Sequence, residues 1–475
     1  MHIKNENIML PGGIARGKLS CAAVSFAAVA ASGAFAVPAA PLAPPNIIHI
    51  MADDHAFQAI GAYGHPVSKL APTPNIDRLA REGMIFNKAY VENSLCAPSR
   101  AALLTGLYSH QNGQRRLGRG IDASKPFFSE ILRGLGYQTG VVGKWHLSCE
   151  PKGFDYYRLL AGQGEYYNPG FKTRDSNGSF VREEGYVTTL IGDHSIEFLR
   201  RRNKSKPFCL LVHHKAPHRN WMPEEKYLDL YKNTEFPIPD NYFDDYASRG
   251  KAARTQKMSV AGDMTMVYDL KMDGLKGTHP FDKEAHSKGW SRNMARFTDA
   301  QRNTWRKAYA SRTGDFLAKN PKGRELAEWK YQCYMRDYLR CIKSVDDQVG
   351  RLLDYLEKEG LMENTIIVYT SDQGFYLGEH GWFDKRFMYE ESFRTPLIVS
   401  WRGKIAPGSV CDALVQNIDF APTYLEAAGA PLPGNLSGRS LTPLFRGGMR
   451  EAGANIYIII ITIIHPGIKW HDMTA

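Results

Sequence analysis

The sequence predicts an α/β protein, a mostly parallel central sheet flanked by helices, and two patterns carry that reading. Short apolar runs of strand length alternate with longer stretches of helical periodicity, the order that builds a parallel sheet with helices on both faces. Polar residues then repeatedly follow the ends of those runs: Asp53, Lys144, His214 and Asp372. In open α/β sheets ligands bind outside the carboxyl ends of the strands. The candidate chemistry therefore converges on one edge of the sheet.

Residues 46–51 (NIIHIM) read as a buried strand that delivers Asp53 and Asp54 at its C-terminal end. Thr73 and Pro74 open a helix that runs through Glu82 and is closed by Gly83. A second helix, 99–104, begins directly after Cys96. Residues 125–134 read as helix and 138–142 as strand, followed by Lys144, Trp145 and His146. Residues 208–213 form another buried strand, ending near His214 and His218. Long helical periodicity over 331–360 leads into a strand at 365–370, which ends in Ser371 and Asp372. Residues 396–400 give a further strand. The segment 220–329, charged and rich in Lys and Arg, reads as insertions and surface helices.

The chain has 475 residues, 43% apolar and 23% charged, enough for one large domain plus a smaller one. Its formal charge of +11 favours anionic partners. Nucleic acid is disfavoured, because no zinc module, RNA-recognition signature or organised basic stripe is present. Lys4, Arg16 and Lys18 precede an apolar run at 19–37 that contains Ala34-Phe35-Ala36. This is the order of a signal peptide, expected over 1–36, and implies export to the periplasm or outside the cell. A Pro-rich linker follows at 37–45. Seven cysteines are scattered without CxxC spacing, and Cys333 and Cys341 are about 12 Å apart along a helix, too far to bridge. The isoleucine-rich stretch 456–464 is shorter than the roughly 20 residues of a membrane span, so none is expected.

Asp53, Asp54, Asp372 and Gln373 offer three carboxylates and an amide oxygen, a hard donor set that suits Ca²⁺, with Mg²⁺ as the alternative. Each pair alone reads as a cap or turn; two pairs, each after an apolar strand, read as a metal site. Cys96-Ala-Pro-Ser-Arg100 places a cysteine at a helix N-terminus, which favours anions, with Arg100 one turn later.

Cys96-Ala-Pro-Ser-Arg100 with the downstream Thr105-Gly106 resembles the signature of the formylglycine-dependent sulfatases. Asp53-Asp54, the Gly-Lys-Trp-His segment ending at His146, Lys215-Ala-Pro-His218, Ser371-Asp372-Gln373 and Asp384-Lys385 resemble that family's other elements, in order. The likeness implies an alkaline-phosphatase-like sandwich over 46–447 and a small, truncated C-terminal subdomain over 448–475. It departs at Gln373, where the family often has Asn. It implies that a formylglycine-generating enzyme oxidises Cys96, and that the hydrated aldehyde attacks sulfur with help from Asp372 and a bound cation, Cys96 itself joining Asp53, Asp54, Asp372 and Gln373 around the metal. Arg100, Lys144 and Lys385 would neutralise the sulfate. His218 and Lys385 would protonate the leaving alcohol, and His146 would assist release. Lys144, His218 and Lys385 would also hold substrate. The run 381–392 resembles sulfatases of sulfated carbohydrates, including N-acetylglucosamine-6-sulfatase-like members, with Trp382, Phe383 and Tyr389 as stacking surfaces. Two other readings stand beside it: a phosphate or phosphonate ester hydrolase of the same superfamily, and a non-catalytic binder of sulfated glycans.

Overall fold

The structure, a computed structural model, describes residues 43–118, 120–275 and 284–448. The expected signal peptide, most of the 37–45 linker and the isoleucine-rich tail lie outside the described residues. Among the described residues, ten strands form the main sheet. In spatial order they are Ser409–Cys411, Met84–Phe86, Leu397–Ser400, Thr365–Ser371, Asn46–Ala52, Phe208–His213, Gln138–Gly143, Tyr156–Leu160, Gly170–Thr173 and Val181–Arg182.

The central strands are continuous apolar runs because both of their faces are buried. Ile48, Ile50 and Ala52 join one core, with Ile76, Leu79, Val187, Ile191, Val349 and Leu352 from the helices Pro74–Arg81, Val187–Arg201 and Gly323–Lys358. Ile47 and Met51 join the other, with Leu103, Leu104, Phe128 and Tyr424 from Cys96–Thr105, Phe128–Gly134 and Phe420–Ala427. The same alternation divides Leu210 and Val212 from Cys209 and Leu211, and Ile367 and Tyr369 from Ile366 and Val368. A period of two thus assigns each strand residue to one of two helix layers.

The sheet is parallel through its centre and mixed in its flanks, where Ser409–Cys411 pairs parallel with Met84–Phe86. Asn46–Ala52 runs parallel to Thr365–Ser371 and Phe208–His213, which runs parallel to Gln138–Gly143. Leu397–Ser400 is antiparallel to both of its neighbours, and Tyr156–Leu160, Gly170–Thr173 and Val181–Arg182 pair antiparallel in turn. Apolar patterning carries no strand direction, so this mixture was not legible.

The helix expected from residue 125 begins at Phe128, because Pro126 precedes it and Glu130 Oε2 accepts from Phe127 N at 2.9 Å as a cap. The long helix starts at Gly323, eight residues earlier than its apolar periodicity indicates. The largest correction concerns 220–329. Trp221, Met264, Met266, Val267, Leu270, Trp290 and Trp305 all enter the first core. The charges of that segment mask an apolar stripe that the helices Glu284–Arg296 and Asp299–Lys319 help to bury. All cysteines of the described residues are free thiols, Cys333 and Cys341 included. Among the described residues no helix is long and apolar enough to cross a membrane.

Candidate active site

Register brings the strand ends together. Ala52 pairs with Ser371, Met51 with His213, and Gly143 with His213. Asp53-Asp54, Asp372-Gln373, His214 to His218, and Lys144 therefore leave the sheet side by side. Gly143 makes the exit of Lys144 feasible. It has φ +105°, and a Cβ there would lie 2.0 Å from His213 O. Gly143→Ala is expected to cost about 2–3 kcal/mol and to displace Lys144, which thermal unfolding and activity assays on the same preparation would check.

Cys96 is the first residue of the fully buried helix Cys96–Thr105. Its Sγ lies 3.4 Å from Asp53 Oδ1 and 3.5 Å from both Gln373 Nε2 and Lys385 Nζ. Burial, reinforced by the Asp53 charge, pushes the thiol up to about 12. Arg100, one turn on, donates through Nε and Nη2 to Asp372 Oδ2 at 3.1 and 2.9 Å, and through Nη1 to Lys144 O at 2.7 Å. Asp372 Oδ1 accepts from Asp54 N at 3.2 Å. Lys144 Nζ pairs with Asp53 and Lys385 Nζ with Asp54.

Burial and neighbouring charges compete at every group here. It disfavours ionisation of Asp53, but Lys144, with His218, Arg100 and Lys385, outweighs it and holds that carboxyl well below its ordinary value. At Asp372 burial and the Asp53 charge prevail over Arg100, and the carboxyl rises to about 7. Burial also raises Asp54, lowers His218 well below the usual imidazole value, and lowers His146 to about 3. Lys385 is raised, because Asp54, Cys96 and Asp384 outweigh its burial. His218 Nδ1 donates to Arg219 O at 2.7 Å, which turns Nε2 towards Asp54 Oδ2, 3.8 Å away.

The donor set fits a hard cation. One oxygen each from Asp53, Asp54 and Asp372 lie within 4.8 Å of one another. Asp54 Oδ2 and Gln373 Oε1 are buried without a hydrogen-bond partner among the described residues. Buried polar atoms are rarely left so, and a half-turn of the Gln373 amide exchanges its Nε2, which faces Asp54, for Oε1.

Of the expected residues, Asp53, Asp54, Cys96, Arg100, Lys144, His218, Asp372, Gln373 and Lys385 meet in one cluster. His146 stands at its edge with φ +54° and a buried, unpartnered Nδ1 among the described residues. Trp382 does not join it. It is 0% exposed and packed against Tyr246, Tyr376, Phe387 and Tyr389, so no face is open to a sugar. Stacking candidates read from a sequence cannot tell a ring that faces solvent from one the next loop covers.

Other groups support the site, most of them without a local signal in the sequence. Tyr338 OH, on the long helix, donates to Asp54 O at 2.7 Å and accepts from Ala56 N. His213 Nδ1 lies 3.4 Å from Arg100 Nη1 beneath the site. Asp384 and Arg386, at φ +83° and +105°, flank Lys385 and pair with each other. Glu92, fully buried, accepts from Ser109 Oγ at 2.7 Å. Burial pushes its carboxyl from 4.5 up to about 8. The folded chain therefore holds that proton more tightly than the unfolded one. Its contribution to stability is complete below the unfolded value and falls as pH rises to about 8, by about 1.4 kcal/mol per unit. Tm measured across that window should decline, and Glu92→Gln should flatten the decline; an unchanged slope in the variant would refute this.

The chain matches a family model described as Sulfatase over residues 45–430. It is 48% identical over 403 residues to an N-acetylglucosamine-6-O-sulfatase of Bacteroides thetaiotaomicron, covering 84% of this chain and 70% of that one. It is 28% identical over 446 residues to an N-acetylglucosamine-6-sulfatase of Homo sapiens, covering 87% of this chain and 66% of the relative. The chain thus spans about two thirds of the length of these curated relatives. A solved structure, described as in complex with its substrate D-glucosamine-2-N,6-O-disulfate, superposes with a TM-score of 0.80 at 46% identity, over 86% of this chain and 82% of the other. A cysteine at a helix N-terminus beside an all-oxygen cluster, in a chain matched over most of its length, has one consistent account: the chain belongs to the sulfatase family, whose members hydrolyse sulfate esters.

Proposed function

We propose that this protein removes sulfate esters from a sulfated carbohydrate, with Cys96, as formylglycine, at the reacting centre. One observation carries the reading: Cys96 Sγ sits within 3.4–3.5 Å of Asp53, Gln373 and Lys385, in a buried cluster of carboxylates and cations. The sugar class is supported by the relatives named for N-acetylglucosamine 6-sulfate and by the glucosamine disulfate bound in the solved structure. The N-terminal pattern supports export.

Asp53, Asp54, Asp372 and Gln373 would hold a divalent cation, Ca²⁺ before Mg²⁺, which when bound neutralises charge on the sulfate. Formylglycine, made by a separate generating enzyme, supplies a hydrated aldehyde in place of the thiol. Arg100 fixes Asp372 and Lys144, so that each keeps one orientation. Lys144 and Lys385 bind the sulfate oxygens as fixed cations. Lys385, which stays protonated, supplies the proton to the leaving oxygen, and His218, its Nδ1 proton held by Arg219 O, faces that oxygen with Nε2. His146, at the edge, takes a proton from the residue at position 96 during release.

The test is free sulfate released from a panel of sulfated saccharides, aryl sulfates and aryl phosphates, with Cys96→Ala as control. Sulfated sugars cleaved well, and only with Cys96, uphold the reading. Faster cleavage of phosphate than of sulfate would move the chain to the phosphate-ester class, and glycan binding that never releases sulfate would make it a binder. Removing divalent cations with a chelator is expected to lower activity at least about 10²-fold and to lower Tm by several degrees, both restored by Ca²⁺. A Tm indifferent to Ca²⁺ would count against the metal site.

A further inference from the structure

Lys385 reaches the cluster from the end of a hairpin, Tyr376–Leu377 paired antiparallel with Phe383–Asp384. Glu379 lies in the turn of that hairpin and folds its side chain inward. Its Oε2 accepts from Leu377 N at 2.6 Å, and its Oε1 accepts from Gln58 Nε2 at 3.0 Å. Gln58 belongs to the short helix Phe57–Ala59, four positions after Asp54. Both side chains are buried. A carboxyl is a costly choice here. Burial, with the charge of Glu391, pushes it up to about 7, so at neutral pH it lowers the stability of the fold where an apolar side chain would not.

Two contacts join the same two segments. Lys385 Nζ pairs with Asp54 in the cluster, and Gln58 pairs with Glu379 at the turn of the hairpin. Together they close a ring that runs from Asp54 to Gln58, across to Glu379, along the hairpin to Lys385 and back to Asp54. A hairpin of two-residue strands is marginal by itself, so contacts at its turn help to decide where its end points. Phe383 N to Met258 O and Val260 N to Gly381 O anchor it to the 258–260 segment. The Gln58–Glu379 bond ties it to the segment of Asp54. We infer that Glu379 is a positioning residue: through Gln58 it fixes the hairpin against the Asp54 segment and so sets the reach of Lys385 to Asp54 and to position 96. The inference rests on the sulfatase reading, which gives Lys385 its task, and deepens it.

Glu379→Ala and Gln58→Ala cut the tie from opposite sides, and each is expected to lower kcat/KM for sulfate release by about 10²-fold. Gln58→Ala removes one hydrogen bond of the tie and leaves the hairpin whole, so it serves if Glu379→Ala does not fold. Glu379→Gln is expected to restore most of the rate. Its carbonyl still accepts from Leu377 N, and its amide donates to Gln58 Oε1, which is buried without a hydrogen-bond partner among the described residues, once the Gln58 amide turns over. In a Lys385→Ala background either alanine variant should remove nothing further, because the tie acts through that lysine. A role in the fold alone would lower activity equally in both backgrounds. Crystal structures of the two alanine variants give a readout that needs no turnover: Lys385 Nζ is expected to leave Asp54. Lys385 found in place in these structures, or an equal loss of rate in both backgrounds, overturns the inference. If the unsubstituted enzyme releases no sulfate, the sulfatase reading fails, and the position of Lys385 in the variants still decides the tie.

Discussion

Cys96→Ala and Cys96→Ser, produced alongside a formylglycine-generating enzyme, are expected to release sulfate at least about 10³-fold more slowly than the unsubstituted protein. The residue at position 96 is the first of a buried helix and the point on which Asp53, Gln373 and Lys385 converge. Alanine removes the reacting group and leaves those three facing a gap. Serine is the sharper probe. It restores one hydroxyl but cannot form an aldehyde hydrate, so it lacks the second hydroxyl that clears sulfate. The thiol itself is no substitute, because burial pushes it up to about 12 and leaves it protonated at neutral pH. Mass spectrometry of the peptide that contains position 96 completes the test. Serine with an undiminished steady-state rate would remove the need for the aldehyde and with it the proposed chemistry.

The second large effect is expected at Arg100. Its guanidinium is 1% exposed, and three of its donor contacts end on Asp372 Oδ2 and Lys144 O. Arg100→Ala leaves Asp372 buried without its cation. Removing one partner of a buried pair costs about 3–5 kcal/mol, because the other charge stays desolvated. Asp372 responds by holding its proton to still higher pH, since burial and Asp53 already raise it to about 7 against the pull of Arg100. Activity at neutral pH should therefore fall with the Ca²⁺ affinity, and calorimetric titration of Ca²⁺ should show a weakened site. Arg100→Lys keeps the charge but cannot reach Asp372 and Lys144 O together, so an intermediate Tm and a partial loss of affinity are expected. A Tm for Arg100→Ala equal to that of the unsubstituted protein would show that the pair contributes nothing.

Both effects concern residues that a reader of the sequence can name, and the reason is local. The run before Asp53 and the run before Asp372 are buried throughout and mostly apolar, with His49 and Thr370 as the polar exceptions between their end residues, so strand, end and carboxylates are legible together. Cys96 and Arg100 lie one helical turn apart, so their shared direction follows from helix geometry alone. Lys144 and His218 likewise follow strands whose ends are marked by composition.

What the chain could not state is what the other side of a contact would be. Gln373 and Lys385 are 277 and 289 positions from Cys96 and meet it only because two strands pair in register. Tyr338 reaches Asp54 O from the middle of a 36-residue helix, with nothing in its own neighbourhood to mark it. Trp382 and Phe180 make the contrast plain. Trp382 stands among motif residues yet is sealed by Tyr246, Tyr376 and Tyr389, whereas Phe180, in a stretch without any motif, is 47% exposed. The sequence alone determined the strand-and-helix alternation, the strand-end carboxylates and the cysteine at the helix start, because these depend on periodicities of two and 3.6 residues and on neighbours a few positions away. Strand direction, the burial of 220–329 and the choice of which rings remain open were decided by tertiary structure, because each depends on which distant surface packs against the segment.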